Sequence, residues 1–144
     1  MRPVFFMLFL VLISGCSYSD KDWKRDFAEM YKGYESENPT NAEAALLKMK
    51  WIIISRPDFQ KIQNTNAALG FIEARLLKLY SFLGATNKAQ TAYSNSVFYL
   101  SKMAVNDGNT NYNIPTHSEL LESIDKFDQK LQVRWMTNLT KISD

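Results

Sequence analysis

Apolar residues recur three or four positions apart along most of the chain beyond residue 20, which is the spacing that forms one face of an α-helix. This pattern predicts helices over residues 22–37, 40–55, 67–83, 87–105 and 117–142. Pro39 ends the first helix because its ring blocks helix continuation. Polar connections are predicted over residues 58–66, with a helical turn, and over residues 106–113. Residues 51–54 also fit a buried strand, but the sequence offers no second strand-like run to pair with them. The pattern therefore predicts an all-α fold of about five antiparallel helices.

Local signals mark where some of these helices begin and end. Thr40 with Glu43, and Thr116 with Glu119, have the spacing of a capping box, in which two side chains satisfy free backbone donors at a helix start. Gly84 suits the left-handed position that follows the last turn of a helix. These residues predict helix starts at Thr40 and just after Thr116, and a helix end just before Gly84.

The first residues of the chain follow a different pattern. Arg2 precedes an unbroken apolar run over residues 4–13, and the small residues Ser14 and Gly15 follow it. At about 1.5 Å per residue the run covers about 15 Å, or half of a ~30 Å hydrocarbon core, so it is too short to span a bilayer. This layout is that of a secretory signal with a small-residue cleavage site. Residues 1–15 are therefore predicted to be an export signal.

The segment Ile13-Ser14-Gly15-Cys16 resembles the lipobox of bacterial lipoproteins, which consists of an aliphatic residue, two small residues and a cysteine. The resemblance implies diacylglyceryl transfer to the Cys16 thiol, cleavage before Cys16 and acylation of the new N-terminus. Ser17 stands where an Asp would retain such a protein at the inner membrane. It therefore implies the outer membrane, facing the periplasm, with the inner membrane as the alternative. Two other interpretations stay open: an ordinary signal peptide, and a buried N-terminal helix whose cysteine is incidental.

Composition limits what the remaining chain can do. Residues 16–21 are predicted to be the lipidated cysteine and a short tether, and residues 22–144 have the length of one domain. Cys16 is the only cysteine, so no disulfide can form within the chain. The formal net charge is +2, and the basic residues are dispersed. This distribution argues against nucleic acid as a partner, since phosphate binding needs a basic stripe.

The third and fourth predicted helices resemble a tetratricopeptide repeat, a helix–turn–helix unit of about 34 residues. The residues that carry the resemblance are Leu76, Tyr80, Gly84, Ala89, Tyr93 and Ser96. Leu77 and Ser101 depart from the repeat pattern, which usually has a small residue and a proline there. Gly33, Ala45, Met49 and Pro57 fall at repeat positions in the first two helices, where the match is weaker. The resemblance implies tetratricopeptide-like helical hairpins followed by a C-terminal helix. The alternative is a generic helical bundle.

No catalytic constellation is visible in the sequence. The single histidine, His117, follows the predicted cap of the last helix, and we interpret it as an exposed surface residue. One histidine and one acylated cysteine do not make a zinc site, and the 106–113 loop has too few carboxylates for calcium. No cofactor and no metal are therefore predicted, and the chain is predicted not to be an enzyme. A pair of carboxylates acting on a glycan is the weakest alternative, because such residues lie far apart in a sequence.

Aromatic residues make up 13% of the chain, and some of them fall off the predicted core faces. Exposed aromatic side chains on helical grooves are typical anchors for peptides. We take Tyr93, Phe98 and Tyr99 as the candidate partner-binding residues, and Cys16 as the lipidation site. The leading hypothesis is a lipid-anchored, non-enzymatic adaptor or assembly factor that binds another envelope protein or peptide. A lipoprotein inhibitor or immunity-type protein is the alternative, and a cell-wall enzyme is the third hypothesis.

Overall fold

The computed structural model describes residues 18–61, 64–109 and 111–136. Its helices are α1 (Asp20–Tyr34), α2 (Pro39–Ser55), α3 (Thr65–Phe82), α4 (Thr86–Asn106) and α5 (His117–Phe127). Two short 3₁₀ helices span Pro57–Lys61 and Arg134–Met136. These described ranges contain no strand, which confirms the prediction of an all-α fold.

Helix α3 lies at the centre of the fold and packs against α2, α4 and α5, while α1 packs against α2. Its residues from Ala68 to Tyr80 are nearly all buried, including the charged residues Glu73 and Arg75. From α1 to α4, consecutive helices run antiparallel, as short connections between packed helices require. Helices α2 and α4 therefore run parallel to each other on either side of α3. Helix α5 also runs antiparallel to α3, since Arg75 pairs with Asp128 and Lys78 with Asp125.

Two predicted helix ends, at Thr116 and at Gly84, follow local chemistry. The Thr116–Glu119 capping box is present, as predicted. Gly84 has a φ of +67°, and backbone hydrogen bonds from Gly84 to Ser81 and from Ala85 to Tyr80 close the end of α3. This arrangement is a Schellman motif, which confirms the predicted helix end.

The predicted capping box of Thr40 with Glu43 is wrong. Helix α2 begins at Pro39, and Asn38 caps it by accepting a hydrogen bond from the Thr40 amide at 2.8 Å. Proline is tolerated at the first helical position because its missing N–H needs no partner there. Pro39 therefore starts α2, and the Glu43 carboxylate is left to form contacts with other helices.

Helix α1 begins two residues earlier than predicted. Ser19 and Asp22 form a capping box around its first turn. Tyr18 is buried, with its ring 6.1 Å from that of Phe59 and its hydroxyl donating to Asp26. The part of the predicted tether from Tyr18 onwards therefore belongs to the folded domain, and Cys16 and Ser17 lie outside the described residues.

Small residues let the paired helices approach closely. A Cβ on Gly33 of α1 would clash with the Cβ of Ala45 on α2. In the second pair, a Cβ on Gly70 would lie 2.7 Å from Leu100 Cδ2, and the Ser96 hydroxyl donates to the Gly70 carbonyl at 2.8 Å. Close contact at small residues fits a tetratricopeptide-like hairpin and also a generic bundle, so the repeat assignment stays a prediction.

The predicted long C-terminal helix is wrong beyond Phe127. Helix α5 ends there, and the chain turns so that Trp135 is buried beside Tyr34 and Phe82. A continued helix would carry position 135 about 12 Å further along the α5 axis and away from this pocket. Burial of the Trp135 ring and of the Asp128 carboxylate favours the turn. The predicted helical positions Leu139 and Ile142 lie outside the described residues.

Candidate functional site

A groove of about 300 Å³ runs between α2 and α4, with α3 as its floor. Its floor carries Leu76 and Tyr80, and the rims carry residues of α2 and α4. The rim residues are Leu47 and Lys50 on α2, and Asn87, Lys88, Thr91, Ala92 and Asn95 on α4. The floor also carries the buried Glu73 carboxylate. The groove therefore combines a mainly apolar floor with rims that carry amide, hydroxyl and ammonium groups.

Two polar networks cross the groove and fix its width. At one level, Lys50 of α2 forms an ion pair with the buried Glu73 of α3, and the Asn95 amide of α4 donates to the same carboxylate at 3.3 Å. Each helix of the groove contributes one member of this network. Because Glu73 is buried and hydrogen-bonded to both rims, the network holds α2 and α4 at a set distance from α3.

The second network lies about two helical turns away, near the start of α2 and α4. The Glu43 carboxylate accepts a hydrogen bond from the Tyr80 hydroxyl at 2.8 Å and pairs with Lys88 at 2.9 Å. The Lys88 ammonium and the Tyr80 hydroxyl hold the pKa of Glu43 below its ordinary value. Burial and the nearby Glu43 carboxylate raise the pKa of Tyr80. The Glu43 carboxylate therefore connects α2 to both α3 and α4, and we call this set of contacts the Glu43 clamp.

Exposed apolar residues lie beside the groove. Leu47, Trp51 and Ile54 are spaced four and three residues apart on α2, so they lie along one helix face. On α4, Phe98 and Val105 are exposed seven residues apart, again on one face. Leu47 lines the groove itself, while Phe98 and Val105 line a shallow recess at the end of α4. Exposed apolar side chains of this size on neighbouring helices are typical of binding surfaces.

The three aromatic residues proposed from the sequence have different environments. Tyr93 is half-buried: its hydroxyl donates to the Pro115 carbonyl at 2.8 Å, and its ring stacks on His117. Tyr99 is also half-buried, with its ring 5.3 Å from that of Phe98. Phe98 is the exposed one, and the Lys102 ammonium lies 4.3 Å from its ring centroid. Tyr93 therefore holds the loop before α5 in place, and Phe98 has the most surface available for a partner.

Sequence reasoning missed the α2 face. The apolar residues of α2 occur nearly all around the helix, so periodicity alone did not separate those that face the core from those that face solvent. Ala42, Leu46, Met49 and Ile53 are buried, and this leaves Leu47, Trp51 and Ile54 on the outside. The spacing of these three residues is consistent with one exposed helix face, but it can be recognised as such only when the buried face of α2 is known.

The described residues contain two buried carboxylates, which are the groups that a hydrolytic mechanism would need. Asp128 is paired with Arg75 at 2.7 Å, and Glu73 is paired with Lys50. Glu73 alone lies on the groove, and its oxygens already accept from Lys50 and Asn95. In each case a basic side chain neutralises the carboxylate. This arrangement favours a structural role for both groups, although Glu73 does lie in a cleft, where an enzyme would place a catalytic carboxylate.

His117 is half-buried rather than exposed, which corrects the interpretation from the sequence. Its Nε2 atom lies 3.3 Å from the Ser81 hydroxyl, and the opposite contact is the Tyr93 ring. The histidine therefore packs the start of α5 against α3 and α4. Within residues 18–61, 64–109 and 111–136, no three His, Cys, Asp or Glu side chains lie close enough together to hold a metal ion.

The chain matches no family model, no curated protein and no solved structure. Among the described helices, none has both the length and the apolar character needed to cross a membrane.

Proposed function

We propose that this chain is a lipid-anchored, non-enzymatic adaptor of the bacterial cell envelope, which binds a segment of another protein in the groove between α2 and α4. The observation that carries the proposal is the groove itself. It has a mainly apolar floor and polar rims, and two ionic networks set its width. A preformed groove of this kind lowers the ordering cost of binding.

An amphipathic helix is the partner that best fits the groove. Leu47, Leu76 and Ala92 supply apolar contacts for one face of such a helix. The Asn87 side-chain amide and the Thr91 hydroxyl lie along the α4 rim and are exposed. The Thr91 hydroxyl donates to the Asn87 carbonyl, so it can accept a hydrogen bond from the polar flank of the partner, while the Asn87 amide can donate or accept. Binding of an amphipathic helix in a hydrophobic groove is a common mode of peptide recognition. The acidic groups of the groove are paired with lysines, so the proposed partner needs no strong net charge.

The lipid anchor is the second part of the proposal. It is supported by the resemblance of residues 13–16 to a lipobox and by the apolar run before them. The proposed location is the outer membrane, facing the periplasm. Two or three acyl chains hold a protein at a membrane stably where one chain does not. The anchor would concentrate the adaptor where its partner is assembled.

Photo-crosslinking in cells tests the groove. A photo-reactive residue at Thr91, which lines the groove, is compared with one at Gln90, its exposed neighbour outside the groove. We expect a discrete protein adduct from position 91 that is absent from position 90. The substitution Leu47→Asp, on the opposite rim, should abolish the adduct while leaving the helical content unchanged. Equal adducts at both positions, or an adduct that survives Leu47→Asp, would overturn the groove assignment.

Fractionation tests the anchor. Cys16→Ser should move the protein from the membrane fraction to the soluble periplasmic fraction, whereas the matched variant Ser17→Ala should keep it in the membrane fraction. Mass spectrometry of the mature N-terminus should show an acylated cysteine. A Cys16→Ser protein that remains in the membrane fraction would contradict the proposed anchor.

A further inference from the structure

The first described residue, Tyr18, lies at the end of the molecule where α2 finishes. Its ring packs against Phe59, in the 3₁₀ helix that follows α2, and the Arg56 guanidinium lies 5.1 Å from the ring centroid. Tyr18 is buried, so its position relative to the helices is set by packing. The chain therefore leaves the folded domain, towards Cys16, at the α2 C-terminus.

The same end of the molecule contains the start of α3 and the end of α4. Gly70, near the α3 start, packs against Ser96 and Leu100 of α4. One turn nearer the α3 start, Asn66 lines a recess together with Val105 and the other C-terminal residues of α4. The recess holds about 610 Å³ and opens at this end of the molecule.

Exposed apolar side chains concentrate at this end. They are Trp51 and Ile54 in the last two turns of α2, and Phe98 and Val105 in the last turns of α4, and we call them the apolar end patch. Their exposed fractions are 66% and 60% for the α2 pair, and 52% and 68% for the α4 pair. Tryptophan together with aliphatic residues is the composition that favours the boundary between headgroups and acyl chains.

The chain length before Tyr18 decides what this patch can reach. Only Ser17 separates Tyr18 from Cys16. Two residue steps span at most about 7 Å, even when the chain is fully extended. If Cys16 carries the anchor, the end of the domain at Tyr18 is held within about 7 Å of Cys16. The polar headgroup layer is about 5–8 Å thick, so this end of the domain lies at the membrane surface.

We propose that the apolar end patch docks on the lipid bilayer. The proposal rests on the lipid anchor of the proposed function. Docking places α2, α3 and α4 end-on to the membrane, with Ile54 and Val105 in the interface and the groove running away from the bilayer. The partner would then bind close to the membrane surface, in a groove whose direction is set by the anchor and the patch together.

The docking is apolar rather than electrostatic. Among the basic side chains at this end, Arg56 and Lys102 lie over the rings of Tyr18 and Phe98. Lys24 and Arg25, near the start of α1, form ion pairs with Asp20, Asp22 and Asp26. The acidic residue Asp107 follows α4 at the same end, and the whole chain has a formal net charge of only +2. A polybasic attraction to anionic lipid is absent from this composition, so neutral lipid is sufficient for the contact.

Site-directed spin labelling of the full lipidated chain tests the proposal. Cys16 is the only cysteine and is capped when acylated, so a cysteine introduced by Ile54→Cys or Val105→Cys is the only thiol that can be labelled. Leu83→Cys, exposed at the opposite end of α3, is the matched control. The chain is reconstituted into vesicles of phosphatidylcholine and phosphatidylethanolamine. The ratio of oxygen to nickel-chelate accessibility is then measured at each label.

The reference sample is the unlipidated Cys16→Ser chain in detergent-free buffer, and it is compared with the lipidated chain in vesicles. We expect the accessibility ratio at positions 54 and 105 to be several-fold higher in the vesicles. The ratio at position 83 should not change. Adding anionic lipid should leave all three ratios as they were. An acylated chain whose positions 54 and 105 remain as water-accessible as position 83 overturns the membrane contact alone. A rise that requires anionic lipid overturns its apolar basis, and an unacylated Cys16 overturns the proposed anchor as well.

Discussion

The buried ion pair between Arg75 and Asp128 provides the strongest test of the fold, because it accounts for the end of α5. Asp128 accepts three hydrogen bonds from the guanidinium, the shortest of them 2.7 Å from Nη2. Arg75 and Asp128 are only 5% and 3% exposed. The guanidinium also lies 5.0 Å from the ring centroid of Tyr31. The substitution Asp128→Asn keeps the volume of the side chain and removes its charge.

The expected loss follows from what remains after the substitution. Arg75 stays protonated at any accessible pH, so a buried cation is left without its counter-ion. Removal of one partner of a buried pair costs about 3–5 kcal/mol. The cation–π contacts with Tyr31 and Tyr34 are present in both proteins and cancel from the difference. The amide oxygen of the new side chain can still accept from the guanidinium, so we expect a loss at the lower end of this range, about 3 kcal/mol. For a domain of this size that loss lowers Tm by about 10 °C.

Urea-induced unfolding followed by circular dichroism measures this loss. The matched control is Glu122→Gln, which breaks the exposed pair with Lys126, whose side chains are 67% and 68% exposed. We expect the control to cost less than about 0.5 kcal/mol. The double variant Arg75→Met with Asp128→Leu should recover most of the stability, because apolar side chains replace the buried pair. If Asp128→Asn destabilises no more than Glu122→Gln, the pair is solvated and our explanation of the C-terminal turn is incorrect.

Three further predictions concern other contacts. Gly33→Ala should lower the free energy of unfolding, measured in urea, by about 1–3 kcal/mol because the new Cβ would clash with Ala45, although alanine has the better helix propensity. An increase in stability would contradict the close approach of α1 and α2. Trp135→Phe should lower the free energy of unfolding by about 1–3 kcal/mol, since the buried Tyr34 carbonyl loses its indole donor; an unchanged midpoint in thermal unfolding would refute this. Glu43 has a pKa below its ordinary value of 4.5, so its stabilising contribution is present above pH 4.5 and is lost as pH falls through its lowered folded-state pKa. Glu43→Gln should therefore flatten the dependence of the unfolding free energy on pH below pH 4.5, and an unchanged slope there would count against the Glu43 clamp.

Most of the helical framework could be predicted because its signals are local. The starts and ends of α3 and α4 lie within two residues of the predicted bounds. Gly84 and Thr116 acted as expected, since a left-handed turn and a capping box depend on neighbouring backbone groups. The prediction at Thr40 was wrong because two local signals overlap there. Thr40 with Glu43 has the spacing of a capping box, but Asn38 caps the helix and Pro39 begins it.

The candidate site was less predictable. The residues that cross the groove are far apart in sequence, as Glu43 and Lys88 or Lys50 and Glu73 show. In the sequence these charged residues have the pattern of solvent-exposed helix faces. Only the packing of α3 between α2 and α4 brings them into contact. Tyr93 was expected to face a partner, yet its hydroxyl is bonded to Pro115 within the fold. Lipidation at Cys16 remains a prediction from the sequence.

The sequence by itself determined the all-α class, the positions of the first four helices and the candidate lipidation site, because periodicity, caps and a lipobox-like segment are properties of contiguous residues. The tertiary structure decided where α5 ends, which face of α2 is exposed and where the groove lies. These features depend on burial, and burial is fixed by which helices meet. Asp128 points inward because the Arg75 guanidinium lies in the core and pairs with it, and no local pattern around residue 128 records that partner.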